Sequence, residues 1–157
     1  MKYYYKKMTH IKRAQKNALI AHEYFEASDY KNALSHYKFA LNSYLKQNPD
    51  NFKNEIANLY FGIATSYYYL NYYKYALRYF EKALHTLKTI YPDEGYADFV
   101  SLYFSMGSAK EKLQLQSEAN GYYDKALALY QSVFHIVAKR VSLEELKYDG
   151  FDRRWFF

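Results

Sequence analysis

Small and bulky side chains alternate along this chain with a long, fixed period. Ala33, Ala76 and Ala119 stand 43 residues apart, and Ala40, Ala83 and Ala126 follow each of them by seven. Between the members of each pair lie Tyr37, Phe80 and Tyr123. The spacing i, i+4, i+7 places a small, an aromatic and a small side chain on one helix face. Leu41, Leu84 and Leu127 continue the register. Upstream, Ile20, Ile63 and Met106 are followed by Ala21, Ala64 and Gly107. Two helices approach closely only where a missing side chain admits the neighbour's bulk, so a small residue facing a ring is a packing device. The only prolines, Pro49 and Pro92, are again 43 apart and punctuate the pattern. The periodicity predicts helices over 12–28, 30–47, 52–70, 72–90, 94–114 and 117–135.

After the repeats, Val133, Val137 and Val141 keep a helical spacing, and Ser142-Leu143-Glu144-Glu145 reads as a capping box opening a short helix that ends near Gly150. A repeat array leaves the apolar face of its last helix pair bare, and an added amphipathic helix covers it. The organisation predicted is a basic N-terminal arm (1–13), three 43-residue repeats (about 14–56, 57–99 and 100–134), then a capping helix and aromatic tail (135–157) containing Trp155, Phe156 and Phe157.

These segments resemble tetratricopeptide repeats, helix-turn-helix units with a large residue, leucine, a small residue and tyrosine on helix A, and alanine, an aromatic and alanine on helix B. Helix A here carries Asn17, Ile20, Ala21 and Tyr24, then Tyr60, Ile63, Ala64 and Tyr67, then Tyr103, Met106, Gly107 and Lys110. Asn17 and Lys110 depart from the pattern. The family's usual period is about 34 residues, and the surplus here falls between Ala40 and Tyr60, lengthening the end of helix B and the start of the next helix A. In this it is similar to the long repeats of kinesin light chains and related bacterial proteins. The resemblance implies an all-α, right-handed solenoid of three helix-turn-helix repeats plus a C-terminal capping helix.

Composition narrows the chemistry. Glycine (5) and proline (2) are scarce and aromatics reach 22%, which argues against disorder and against a turn-rich β fold. No apolar run approaches the roughly 20 residues of a membrane span. The N-terminal sequence lacks an apolar signal region, so a soluble, cytoplasmic protein is expected. With no cysteine there are no disulfides and no thiolate chemistry. The net charge of +6 comes from Lys2, Lys6, Lys7, Lys12, Arg13 and Lys16, and the rest of the chain sums to zero. Nucleic-acid or anionic-membrane binding would therefore rest on the arm alone, and both are disfavoured.

His10, His22, His36, His85 and His135 form no HExxH motif and no i, i+4 pair, so no metal site is expected. No phosphate loop or nucleophile elbow is present, and the S-x-x-K match at Ser35–Lys38 falls on core helix. No catalytic residue and no cofactor is predicted. Of the 22 tyrosines, Tyr24, Tyr37, Tyr60, Tyr67, Tyr103 and Tyr123 occupy expected core positions. Tyr68, Tyr69, Tyr72 and Tyr75 are too close together for all of them to face the interior, and exposed tyrosine suits a binding surface.

The family lines its concave face with helix A residues beside the core stripe. Carried over, this implies a groove of Gln15, Ala18, Leu19 and His22, then Asn58, Phe61, Gly62, Thr65, Tyr68 and Tyr69, then Ser101, Phe104, Ser105, Ser108 and Glu111. Chaperone-binding members clamp a C-terminal carboxylate with basic and amide residues at five of these places. Here those places hold Ala18, His22, Gly62, Ser101 and Ser105, so the clamp is absent. The expected function is non-enzymatic binding of a protein or peptide partner in this groove. The alternatives are a homo-oligomer made through exposed tyrosines and weak anchoring through the basic arm.

Overall fold

The computed structural model describes residues 2–93 and 97–133, with side chains for 10–93 and 97–132. Among the described residues six helices follow one another: α1 (Lys2–Glu26), α2 (Tyr30–Leu45), α3 (Lys53–Tyr69), α4 (Tyr73–Ile90), α5 (Ala97–Lys112) and α6 (Gln116–Val133). A 3-10 helix, Pro49–Phe52, precedes α3. No strand occurs among the described residues, and no described helix is long and apolar enough to cross a membrane. The chain divides into two compact units, Met1–Thr86 and Leu87–Phe157. The capping helix and aromatic tail predicted over 135–157 lie outside the described residues.

The helices end where the chain must reverse, and three reversals share one geometry. Ser28, Asn71 and Gln114, each 43 residues after the last, hold φ of 61, 64 and 62°. The amide after each reaches back across the turn: Asp29 N–H to Tyr24 O at 2.8 Å, Tyr72 to Tyr67 at 2.9 Å and Leu115 to Lys110 at 3.0 Å. A shorter bond closes each turn as well, with Ser28 to Phe25, Asn71 to Tyr68 and Gln114 to Glu111 all at 2.9 Å. This is the Schellman ending, which satisfies the last carbonyls of a helix by one left-handed residue. Asp29 then caps α2, its carboxylate accepting from the Asn32 backbone amide at 3.2 Å.

Residues 2–13, expected as an arm apart from the helices, form the first turns of α1. No glycine or proline interrupts the chain before Pro49, so nothing stops the helix there. The surplus between Ala40 and Tyr60 is also arranged differently from the expectation. Helix α2 runs only to Leu45, and the 3-10 turn intervenes before α3. Asn48 caps that turn by accepting from the Asp50 amide at 3.3 Å, and Pro49 sits at its start, where a missing N–H costs nothing.

In the first unit, the buried cluster joins Ala14 and Ala21 of α1, Ala33, Tyr37, Ala40, Leu41 and Tyr44 of α2, and Ile56, Leu59 and Ile63 of α3. The Tyr37 ring lies against Gly62, where an added Cβ would come within 2.8 Å of Cζ. Burial, and after it the Glu26 charge, pushes the Tyr37 phenol above its usual range. Helix α4 adds Ala76, Phe80 and Ala83, all fully buried. In the second unit, α5 and α6 bury Tyr103, Met106 and Ala109 with Ala119, Tyr123 and Ala126. Gly107 there admits Tyr123, whose Cδ1 would stand 2.7 Å from an added Cβ. Each small-aromatic-small triad predicted from the spacing is therefore core.

Candidate binding surfaces

The residues expected to line a groove fall into two sets, one in each unit. In the first, Leu19 of α1 is 65% exposed and His22 is half-buried. On α3, Asn58 is exposed, Phe61 and Tyr68 are half-buried, and α1 and α3 touch. The Phe61 ring rests on Phe80 at 5.4 Å, and Tyr68 meets Tyr69 and Tyr73 edge-on at 5.5 and 5.4 Å. Tyr69 stacks on Tyr30 at 4.7 Å and abuts Phe25, so it serves the packing between α1, α2 and α3.

Three expected lining residues lie beneath the surface instead. Thr65 is buried, its hydroxyl donating to the Phe61 and Gly62 carbonyls at 3.1 Å each, an i−4 and i−3 arrangement internal to the helix. Ser101 is buried at the start of α5. Gly62 is likewise a packing position, filled by Tyr37. In the second unit Phe104, Ser108 and Glu111 remain half-buried. Phe104 lies 5.4 Å from Tyr123, whose hydroxyl donates to Glu111 Oε2 at 2.8 Å and reaches Ser108 Oγ at 3.3 Å. These side chains anchor a core ring from its polar end.

A second surface lies outside the expected groove and includes two of the tyrosines expected to be exposed, Tyr72 and Tyr75. Tyr24, assigned to the core from its repeat position, is 36% exposed and stacks on His36 at 5.4 Å, while Asn17 bonds the same imidazole at 2.8 Å. The corresponding positions of the central repeat are Tyr67, Tyr79 and Tyr60, and there they grow into a belt. Tyr67 stacks between Tyr75 at 5.4 Å and Tyr79 at 5.6 Å, and Tyr79 meets Tyr60 at 6.1 Å. Tyr72 closes the end, edge-on to Tyr67 and Tyr75. Burial, then the neighbouring Tyr79, raises the Tyr60 phenol above its ordinary value.

Cations cover this belt. Lys38 of α2 lies 4.9 Å above Tyr67 and donates to its hydroxyl at 2.7 Å. Arg78 lies 5.7 Å from Tyr75, and Lys82 lies 5.0 Å from Tyr79 and 5.6 Å from Tyr60. Such pairs are attracted by the negative faces of the rings. The net charge beyond residue 16 hid them, because it averages over helices of unlike composition. Helix α2 carries Lys31 and Lys38 with no carboxylate, and α4 carries Lys74, Arg78, Lys82 and Lys88 against Glu81 alone. Charge counted helix by helix would have found them in the sequence.

Among the described residues no group of histidines and carboxylates is placed to hold a metal ion. The sequence matches no protein-family model and no curated protein.

Proposed function

We propose that this chain is a non-enzymatic, cytoplasmic interaction module, a tetratricopeptide-like solenoid that binds a protein or peptide segment along its helix A residues. The repeat reading is supported by three identical left-handed turns and three buried alanine-aromatic-alanine triads at one period. The observation that carries the binding reading is the accessible apolar set on two touching helices, with Leu19 65% exposed on α1 and Phe61 and Tyr68 half-buried on α3. Rings held by their neighbours lose little freedom on binding, and a peptide laid across them gains aromatic contact plus side-chain hydrogen bonds from Asn58.

The test is selection of peptides from a displayed random library, followed by titration against variants. Phe61→Ala and Tyr68→Ala should each weaken the selected peptides by about tenfold or more if they are anchors. Selected peptides that bind both variants as tightly as wild type would remove the helix A face from consideration.

A further inference from the structure

A different face of α3 from the one just discussed carries the tyrosine belt, and its chemistry specifies a ligand. Lys38, Arg78 and Lys82 are exposed, and none has a carboxylate within ion-pair distance among the described residues. Their only described partners are tyrosine rings and, for Lys38, the Tyr67 hydroxyl. Beside them Tyr72 and Tyr75 are 56% and 51% exposed. The ring faces are already taken: Tyr67 is covered by Tyr75, Tyr79 and Lys38, Tyr75 by Tyr67 and Arg78, and Tyr79 by Tyr67 and Lys82. What the belt presents outward is phenolic hydroxyls, ring edges, which carry the positive part of the quadrupole, and three uncompensated cations. All three are complementary to anions.

We propose that this belt is a docking surface for an acidic peptide segment of a partner protein, with carboxylates seated among Lys38, Arg78 and Lys82 and aliphatic stems lying on Tyr72 and along the exposed ring edge of Tyr75. A single nucleic-acid strand fits less well, because successive bases need successive open ring faces, and among the described rings of the belt Tyr67, Tyr75 and Tyr79 are stacked while Tyr60 is covered by Lys82, which leaves Tyr72. A second copy laid symmetrically on the belt would bring the same cation-bearing patch against itself, setting like charge near like charge.

The experiment uses the full chain and three fluorescent probes: a Glu-Gly repeat peptide, its Gln-Gly counterpart, and a thymine oligonucleotide of equal length. Fluorescence anisotropy should show binding of the glutamate peptide that weakens as salt is raised, with little binding of the other two. The triple variant Lys38→Gln, Arg78→Gln, Lys82→Gln should raise Kd about tenfold. Arg78→Gln alone, a conservative change at an exposed position, should raise it about two- to threefold and gives a reading if the triple variant loses its circular dichroism. Lys12→Gln with Lys16→Gln on α1 should leave Kd unchanged, as should Phe61→Ala, which separates this surface from the helix A face. Equal or tighter binding of the oligonucleotide, insensitivity of peptide binding to the belt variants, or concentration-dependent dimerisation abolished by those variants would each overturn the proposal.

Discussion

The central and third repeats solve one packing problem with two chemistries. Position for position, 43 residues apart, Tyr60, Tyr79 and Lys82 correspond to Tyr103, Tyr122 and Lys125. In both, a lysine from helix B spans two rings: Lys82 at 5.6 and 5.0 Å from its pair, Lys125 at 5.6 and 5.7 Å. The next link differs. Where the central repeat stacks Tyr67 on Tyr75 at 5.4 Å, the third pairs Lys110 with Glu118 at 2.7 Å. Helices A and B must be bridged at this point, and either a ring stack or an ion pair bridges them. The choice alters the surface rather than the fold. A ring stack leaves an aromatic surface whose lysines lack carboxylates, whereas the ion pair neutralises its own cation.

The shared part of this comparison should give the largest effects. Ala76→Leu and Ala119→Leu occupy equivalent, fully buried sites, and each should overpack its helix pair by about 1–3 kcal/mol, read as a lowered urea midpoint. A variant as stable as wild type at either site would break the equivalence of the repeats.

The differing part should separate in double-mutant cycles. Tyr67 and Tyr75, truncated singly and together, should show a coupling of about 0.5–1.5 kcal/mol that persists in high salt. A coupling that vanished with salt would mean the stack contributes nothing beyond the charges around it.

The turns offer a subtler contrast. All three hold a left-handed residue, but asparagine tolerates that region better than glutamine does. Gln114→Gly should therefore stabilise the protein by about 0.5–1 kcal/mol, and Asn71→Gly by less. Equal gains at the two sites would show that side-chain identity at these turns is irrelevant.

The smallest effect is expected at the ion pair. Glu118 is half exposed, so the Lys110–Glu118 coupling should be about 0.2–1 kcal/mol and should fade as salt screens it. Persistence in molar salt would erase the chemical distinction between the two repeats.

Residue spacing alone determined the helices and their buried stripe. A small-aromatic-small triad at i, i+4, i+7 leaves only one face able to meet a neighbouring helix, and Ala33, Tyr37 and Ala40 with their equivalents are buried for that reason. The start of α1 and the 3-10 turn at Pro49 were less legible, because helix ends depend on local balances that one side chain can tip. Of the left-handed turns only the one at Asn71 carries a residue suited to it. Serine and glutamine carry no signal for that conformation, and the need to satisfy the last carbonyls imposed it.

The binding surfaces divide in the same way. That some of Tyr68, Tyr69, Tyr72 and Tyr75 must be exposed followed from their crowding, and Tyr72 and Tyr75 are. Which tyrosines stack, which lysines cover them, and that Thr65 lies buried depended on how α2, α3 and α4 approach one another, while Ser101 is buried within the second unit. One contact of the belt, Lys38 on Tyr67, joins residues 29 positions apart. No local pattern records such a contact, because the ring and the cation meet only once helices from successive repeats are packed side by side.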